Sequence, residues 1–312
     1  MQKIYAIGET ILDIIFRNNQ PQTAKPGGSS FNAAITLGRL GTPITFISEM
    51  GNDRVGDIIQ DFLVENGVDS TYLSRYKNGQ SAVALAFLNE NSDAEYQFYK
   101  DYPHQRLAVE FPELNRDDLL LFGSFYALNP GIRPRVKALL EKARRAGAIL
   151  LYDPNFRSTH LQDREKLLSV IRENMEFASI VRASDEDLGN IFQVDNPDDA
   201  WECVRPHCAV LLYTANAHGV YLKSEKLDVH VEVNRIEPVS TIGAGDTFNA
   251  GILYGLHSMG CRLDQVQGLG KQAWQVLIAT AVEFAREVCL SYENYLPAAY
   301  AETLKKNEKR YG

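Results

Sequence analysis

The residues from 241 to 249 have the types and the spacing that can hold an anion beside a base. They are Thr241, Ile242, Gly243, Ala244, Gly245, Asp246, Thr247, Phe248 and Asn249. Glycines at 243 and 245 let the backbone approach a ligand closely, and a helix that begins here adds the positive charge of its amino end. Phosphate is therefore the natural occupant, with Asp246 as the base. An Asp in the first turn of a helix is also an ordinary cap, and the spacing alone leaves both interpretations open.

The rest of the chain supplies the elements that would position these residues. Short, continuously apolar runs are typical of parallel strands covered on both faces, and they occur at residues 4–7, 44–47, 119–122, 149–152, 179–181 and 210–213. Amphipathic helical stretches alternate with them at residues 57–66, 135–146 and 248–259, the first two stopping at Gly67 and Gly147. This alternation predicts an α/β fold with a doubly wound, mostly parallel sheet flanked by helices.

Composition narrows the class of protein. A formal charge of −8 and a pI near 5.4 argue against a nucleic-acid partner. The four cysteines lie in no C-x-x-C pair, and no histidine completes a zinc spacing, so reduced thiols are expected. The amino terminus is not typical of a signal peptide, and no apolar run reaches membrane-spanning length. We expect a soluble, cytoplasmic protein with no membrane partner.

Two other phosphate-binding patterns do not occur in the sequence. A P-loop needs G-x-x-x-x-G-K-[ST], whereas Gly270-Lys271-Gln272 lacks both the leading Gly and the hydroxyl. A dinucleotide fingerprint needs G-x-G-x-x-G after the first strand, but that strand is followed by Gly8-Glu9-Thr10-Ile11. Neither nucleotide fold is supported.

Two motifs resemble the signatures of the ribokinase-like (PfkB) carbohydrate kinases. Residues 239–248 are similar to the second signature, D-T-x-G-A-G-D-x-F, and the first is matched by Gly27-Gly28-Ser29-Ser30-Phe31-Asn32-Ala33-Ala34. The resemblance implies transfer of the γ-phosphate of ATP to a primary hydroxyl of a small sugar. In that family the segments equivalent to residues 10–17 and 81–103 form a small β lid, around the polar turn Asn89-Glu90-Asn91-Ser92. We therefore expect one domain over residues 1–312, with a lid that also suits a homodimer.

The resemblance also implies the sugar and phosphate sites. Asp13, Gly27, Gly28 and Asn32 match sugar-binding residues, since a carboxylate accepts two hydroxyls and an amide both donates and accepts. Asp246 is then the base, and the turn of Gly243, Ala244 and Gly245 holds the transferred phosphate. Asp153-Pro154-Asn155-Phe156-Arg157 is similar to a segment of bacterial fructokinases and brings Arg157 near that phosphate.

The nucleotide and metal residues depart from the family pattern. Thr214 and Gly219 match the nucleotide loop, with Asn216 in place of its first Gly, and Thr241 lies beside the phosphate turn. Ser184 and Asp187 stand where the family has N-x-x-E, so Asp187 is the candidate for Mg2+, acting through a water. Ser184 is equally a good helix cap. Position 240 is Ser where many members have a cation-binding Asp, which leaves a requirement for K+ open.

The segments around 100, 153 and 184 favour fructose as the substrate. The next candidate substrates are 2-keto-3-deoxygluconate, ribose or a nucleoside. An alternative of another class is a sensor that binds sugar or nucleotide without transferring phosphate. The departures from the family pattern at positions 184, 216 and 240 favour this alternative. The intact Gly243-Ala244-Gly245-Asp246 turn favours the kinase.

Overall fold

A computed structural model describes residues 2–88 and 94–311 of the chain. The strands are β1 Ile4–Ile7, β2 Ile11–Arg17, β3 Gln20–Gly27, β4 Ile44–Gly51, β5 Leu73–Tyr76, β6 Gln80–Leu88, β7 Ala94–Asp101, β8 Leu119–Gly123, β9 Ile149–Asp153, β10 Ile180–Ser184, β11 Val210–Thr214, β12 Val220–Ser224 and β13 Asp228–Val231. The helices are α1 Ser29–Arg39, α2 Arg54–Glu65, α3 Ser124–Leu128, α4 Arg133–Ala146, α5 Arg164–Phe177, α6 Asp185–Phe192, α7 Pro197–Val204, α8 Ala244–Ser258, α9 Leu263–Val266, α10 Lys271–Cys289 and α11 Ala298–Tyr311. Short 3-10 turns lie at Ser158–Asp163 and Asn216–His218. Within these described ranges, no helix has the length and apolar character needed to cross a membrane.

The large sheet confirms the predicted α/β fold. Its strand order is β13-β12-β11-β10-β9-β8-β1-β4-β5, and the pairs from β11 through β5 are parallel. Two apolar clusters cover its two faces, as a doubly wound sheet requires. The antiparallel strands β12 and β13 at one edge were not predicted, because their polar residues hide them from a search for apolar runs.

Several strands extend further toward their carboxyl ends than the apolar runs predicted. The last residues of β8, β9, β10 and β11 are Gly123, Asp153, Ser184 and Thr214, and the pairing continues to them, with Gly123 beside Asp153 and Ser184 beside Thr214. A search for apolar residues stops too early here because these ends are polar or glycine. Ligands of doubly wound sheets bind at these carboxyl ends, so the missed residues are those that face the crevice.

The lid is a separate four-stranded sheet with the order β3-β2-β6-β7. Its central pair, β2 with β6, is parallel, and both outer pairs are antiparallel. Strand β3 was not predicted: its sequence, QPQTAKPG, has little apolar character and is mostly exposed. The predicted turn at Asn89-Glu90-Asn91-Ser92 lies outside the described residues.

Close packing against α10 fixes the position of α8, whose amino end carries Asp246. A Cβ at Gly251 in α8 would lie 2.4 Å from the Ala281 Cα and 3.0 Å from its Cβ in α10. The two helix backbones therefore approach at a distance that only glycine allows at this position.

We predict that Gly251→Ala lowers the free energy of unfolding by about 1–3 kcal/mol, the usual cost of overpacking a core. The added methyl group contacts backbone atoms, which cannot rotate away, and this outweighs the better helix propensity of Ala. Chemical denaturation measures the change. Gly268→Ala is the matched control, since its Cβ would meet only the Gln265 carbonyl oxygen at 3.5 Å. Equal stabilities of the two variants would contradict the prediction.

Candidate functional site

Asp246 lies in the first turn of α8, directly opposite the start of α1. The Ser29 hydroxyl donates to its Oδ1 at 2.7 Å, and the Asn32 amide donates to its Oδ2 at 2.8 Å. Both donors come from the first turn of α1, whose contact with Asp246 the sequence did not predict. The carboxylate is thus held by a neighbouring helix and not by the backbone amides of its own, as a simple cap would be.

The environment of Asp246 adjusts its basicity. Burial raises the pKa of this carboxyl to about 6, while the hydrogen bonds from Asn32 and Ser29 oppose the rise. The charge of Asp153 adds to the rise, and that of Arg157 opposes it. A pKa near 6 leaves the group ionised at neutral pH and yet basic enough to accept a proton, which is what a general base needs.

A second acidic group lies beside the first. Gly27 ends β3, and a Cβ built there would lie 2.8 Å from the Asp13 Oδ2 and 3.9 Å from both the Asn32 Oδ1 and the Asn294 Nδ2. The buried Asn32 Oδ1 has no hydrogen-bond partner among the described residues. Burial raises the pKa of Asp13 to about 7. The side chains of Asp13, Asn32 and Asn294, with the backbone of Gly27, form a small polar cradle that a Cβ at Gly27 would fill.

Two glycines permit this close approach of backbones. Gly28, the N-cap of α1, has φ 133°, and its Cβ would collide with the Glu9 carbonyl oxygen at 2.2 Å. Gly243, the N-cap of α8, has φ 79°, and its Cβ would meet the Asn294 carbonyl oxygen at 2.0 Å. Positive φ and these contacts both exclude other residues, so Gly28 and Gly243 are fixed by geometry.

The segment after β9 turns toward the same crevice. Asn155 has φ 41°, and its backbone N–H donates to the Asp153 Oδ1 at 2.9 Å. The Asp153 side chain thus closes a local turn by accepting a hydrogen bond from the backbone two residues on. Arg157 follows it with an exposed side chain, near enough for its charge to act on Asp246.

The predicted nucleotide loop follows β11. The Thr214 Oγ1 accepts a hydrogen bond from the Arg182 Nη2 at 2.7 Å. Asn216 has φ 47°, a left-handed conformation that Asn adopts more readily than most other residues. Gly219 has φ 94°, and a Cβ there would lie 2.4 Å from the Val231 carbonyl oxygen. Thr241, the remaining candidate, is exposed just before the phosphate turn.

Ser184 and Asp187 form the capping box of α6. The Ser184 N–H and hydroxyl donate to the Asp187 Oδ2 at 2.8 and 2.6 Å, and the Phe156 N–H donates to its Oδ1 at 2.7 Å. Ser184 thus has the capping role left open as an alternative. Three of the roughly four acceptor positions of the carboxylate are occupied, so Asp187 fits a magnesium ion only through a water. No cluster of three or more metal-binding side chains occurs in residues 2–88 and 94–311.

Sequence reasoning did not identify three residues of the site. Ser29 lay within a quoted motif, but its contact with Asp246 joins helices that are far apart in the chain. Asn294 carries no motif and reaches the site through a turn. Arg182 had a readable signal: it is a single charge between the buried residues Val181 and Ala183 of β10.

Comparisons with known proteins point to one family. Residues 1–292 match the pfkB family carbohydrate kinases. Aminoimidazole riboside kinase of Salmonella typhimurium is 29% identical over 84% of this chain and 83% of its own length, and fructokinase of Escherichia coli is 28% identical over 84% and 87%.

Solved structures show the same fold. Aminoimidazole riboside kinase from Salmonella enterica, complexed with aminoimidazole riboside and an ATP analogue, has a TM-score of 0.82 at 23% identity and covers 97% of this chain and 100% of its own. Fructokinase from Vibrio cholerae, bound to fructose, ADP and calcium, has a TM-score of 0.83 at 19% identity, with coverages of 97% and 98%. With its two motifs meeting at Asp246 and the family match over nearly its whole length, this chain belongs to the pfkB family of carbohydrate kinases.

Proposed function

We propose that this protein is a fructokinase, which transfers the γ-phosphate of ATP to a primary hydroxyl of fructose. The observation that supports the proposal best is Asp246 at the amino end of α8, held by Ser29 and Asn32 beside the cradle of Asp13 and Gly27. A base, a sugar-sized set of acceptors and an anion-binding helix end thus adjoin one another.

In the proposed mechanism, Asp246 accepts the proton of the primary hydroxyl as that oxygen attacks the γ-phosphate in line. The backbone amides of residues 242–245 and the amino end of α8 stabilise the negative charge on the transferred group. Arg157, exposed at the crevice, adds positive charge near the phosphate. Asp13 and the unpaired Asn32 Oδ1 accept hydrogen bonds from sugar hydroxyls, while Gly27 and Gly28 leave room for the ring.

A neutral sugar suits the site better than a sugar acid. Lys100 of the lid donates to the Glu9 carboxylate at 2.8 Å, and the Tyr102 hydroxyl donates to the same carboxylate. Glu9 lies against Gly28, since its carbonyl oxygen is the atom that a Cβ at Gly28 would strike. The positive charge of Lys100 is therefore already neutralised and gives no free partner to a substrate carboxylate. This favours fructose or ribose over 2-keto-3-deoxygluconate.

The nucleotide is proposed to bind along Thr214, Gly219 and Thr241. Magnesium (Mg2+) would be held by the phosphates and, through a water, by Asp187 at the Ser184 cap, because magnesium keeps several of its waters in such sites. When bound, the ion offsets the charge of the phosphates. Ser240 offers a potassium ion (K+) a hydroxyl and no carboxylate. The assay below therefore compares rates with and without potassium.

The first test is ADP release with ATP, magnesium and a panel of fructose, ribose, 2-keto-3-deoxygluconate, aminoimidazole riboside and adenosine, with and without potassium. We expect turnover to be fastest with fructose and slower with the sugar acid, because Lys100 is paired. A faster rate with either riboside would reassign the substrate within the family. Tight ligand binding with no ADP from any sugar would support the sensor alternative instead.

We predict that Asp246→Asn keeps the fold but lowers kcat on the order of 10²- to 10⁴-fold, the contribution of a general base. In the unmodified enzyme, kcat should fall about tenfold per pH unit as the pH drops below about 6, since protonation of Asp246 removes the base. Ser29→Ala removes a donor that favours the ionised form, so it should move this limb to higher pH. Unchanged turnover in Asp246→Asn would remove Asp246 from the mechanism.

Asp13→Asn serves as the matched carboxylate control for that experiment. It should raise the KM for the sugar far more than it lowers kcat, because Asp13 is proposed to bind hydroxyls and not to move a proton. A loss confined to kcat would contradict this division of roles.

The lid also supports the proposal of a homodimer. Asp13 lies on one face of the lid sheet. The opposite face carries half-buried apolar side chains: Ile14, Phe16, Val83, Leu85 and Phe87. Phe16 and Phe87 stack with their ring centroids 5.0 Å apart. Such a face on a sheet with open edges suits a second copy of the same lid.

We expect sedimentation to find a dimer that Leu85→Glu converts to a monomer, since a charge at its centre would be buried on association. Val276→Glu, on the exposed side of α10, should leave the dimer intact. A monomeric unmodified protein at assay concentrations would disprove the lid interface.

A further inference from the structure

A buried arginine lies directly behind the phosphate turn. Arg182 is in β10, in the middle of the sheet, and is 8% exposed. Its Nη1 donates to the Asp153 Oδ2 at 2.9 Å, and its Nη2 donates to the Thr214 Oγ1 at 2.7 Å. One guanidinium thus joins the last residue of β9 to the last residue of β11, where the predicted nucleotide loop begins.

The same guanidinium also packs under the amino end of α8. A Cβ at Gly245 would lie 2.7 Å from the Arg182 Nη1 and 3.3 Å from its Cζ. The Arg182 Cζ lies 5.6 Å from the centroid of the Phe248 ring, and Asn249 donates to the Asp153 Oδ2 at 2.6 Å. Arg182 therefore occupies the space that a side chain at position 245 would need. The absence of a side chain at Gly245 can also leave room for a ligand on the other side of the turn.

The charge balance around Arg182 favours this position. Burial alone would lower the pKa of the guanidinium, but the carboxylates of Asp153 and Asp187, and more weakly that of Asp246, raise it. Asp153 has its remaining oxygen occupied by the Asn155 N–H. A buried ion pair contributes little net stability compared with apolar residues, so its presence at this point calls for another explanation.

We propose that Arg182 is a positioning residue that holds the phosphate turn, the nucleotide loop and the Asp153 segment in one fixed arrangement. It contacts Gly245, Thr214 and Asp153, one from each of the three segments, and makes none of the sugar contacts. The inference rests on the proposed kinase activity. It adds a residue that belongs to none of the motif matches, although it precedes Ser184 by two positions, and whose rigid fork sets the distance between the donor nucleotide and the base.

The test compares Arg182→Met, Arg182→Lys and the double variant Arg182→Met with Asp153→Asn, using the best sugar from the panel. Arg182→Met alone leaves Asp153 buried without its partner and should be less stable. The double variant removes both charges and should recover stability. We expect its kcat to remain reduced by about 10- to 100-fold, the effect of misplaced reacting groups, with the sugar KM nearly unchanged. Arg182→Lys keeps the charge and should recover part of kcat.

Arg133→Met is the matched control, since Arg133 is a largely buried arginine paired with Glu173 and Asn174 away from the site. It should lower stability and leave the kcat of the folded enzyme unchanged. A stable double variant with normal kcat would overturn the positioning role. If no panel sugar is phosphorylated by the unmodified protein, ADP affinity by calorimetry still decides the question: it should weaken in the double variant and not in Arg133→Met, and equal affinities would disprove the role.

Discussion

Two helices of this fold begin at the same point, and Asp246 lies where they meet. Helix α1 provides the Ser29 and Asn32 donors, and helix α8 provides the carboxylate and the phosphate turn. Both amino ends carry partial positive charge, which favours an anion between them. Burial acts in the opposite direction and raises the pKa of Asp246 to about 6. The basicity of Asp246 therefore depends on a balance between desolvation of its carboxylate and the donors that the second helix supplies.

The backbone around this meeting point is held closely on every side. Gly28 and Gly243 adopt positive φ values, and each faces a carbonyl oxygen at a distance that excludes a side chain. The carbonyl that faces Gly243 belongs to Asn294, in a segment that Arg39 of α1 fixes by donating to the Leu296 carbonyl oxygen at 2.8 Å. Helix α1 thus positions Asp246 directly and, through the carboxyl-terminal segment, supports the turn beside it.

The polar groups behind the site follow from the topology of the sheet. The interiors of the parallel strands are apolar, and their hydrogen-bonding side chains are concentrated at the carboxyl ends, where Asp153, Ser184 and Thr214 lie on neighbouring strands. Arg182 reaches two of these ends from within the sheet. Because the neighbouring strands are parallel, all of these ends fall at one edge of the sheet, and a single guanidinium can connect two segments that each lie about thirty residues from it in the chain.

The sequence by itself determined the fold class and the centre of the site. Apolar runs and helical periodicity predicted the parallel sheet, and the turn at Gly243–Asp246 predicted an anion-binding helix start, because both signals are local and survive in a single stretch of chain. It did not reveal strand β3, the extension of the inner strands to Asp153, Ser184 and Thr214, or the contacts of Ser29, Asn294 and Arg182. Those depend on which segments become neighbours in space. Only the tertiary structure decided that Asp246 is bound by another helix, that Asp13 lies half-buried beside Gly27, and that an arginine fills the space left by Gly245, since each is a contact between residues far apart in the chain.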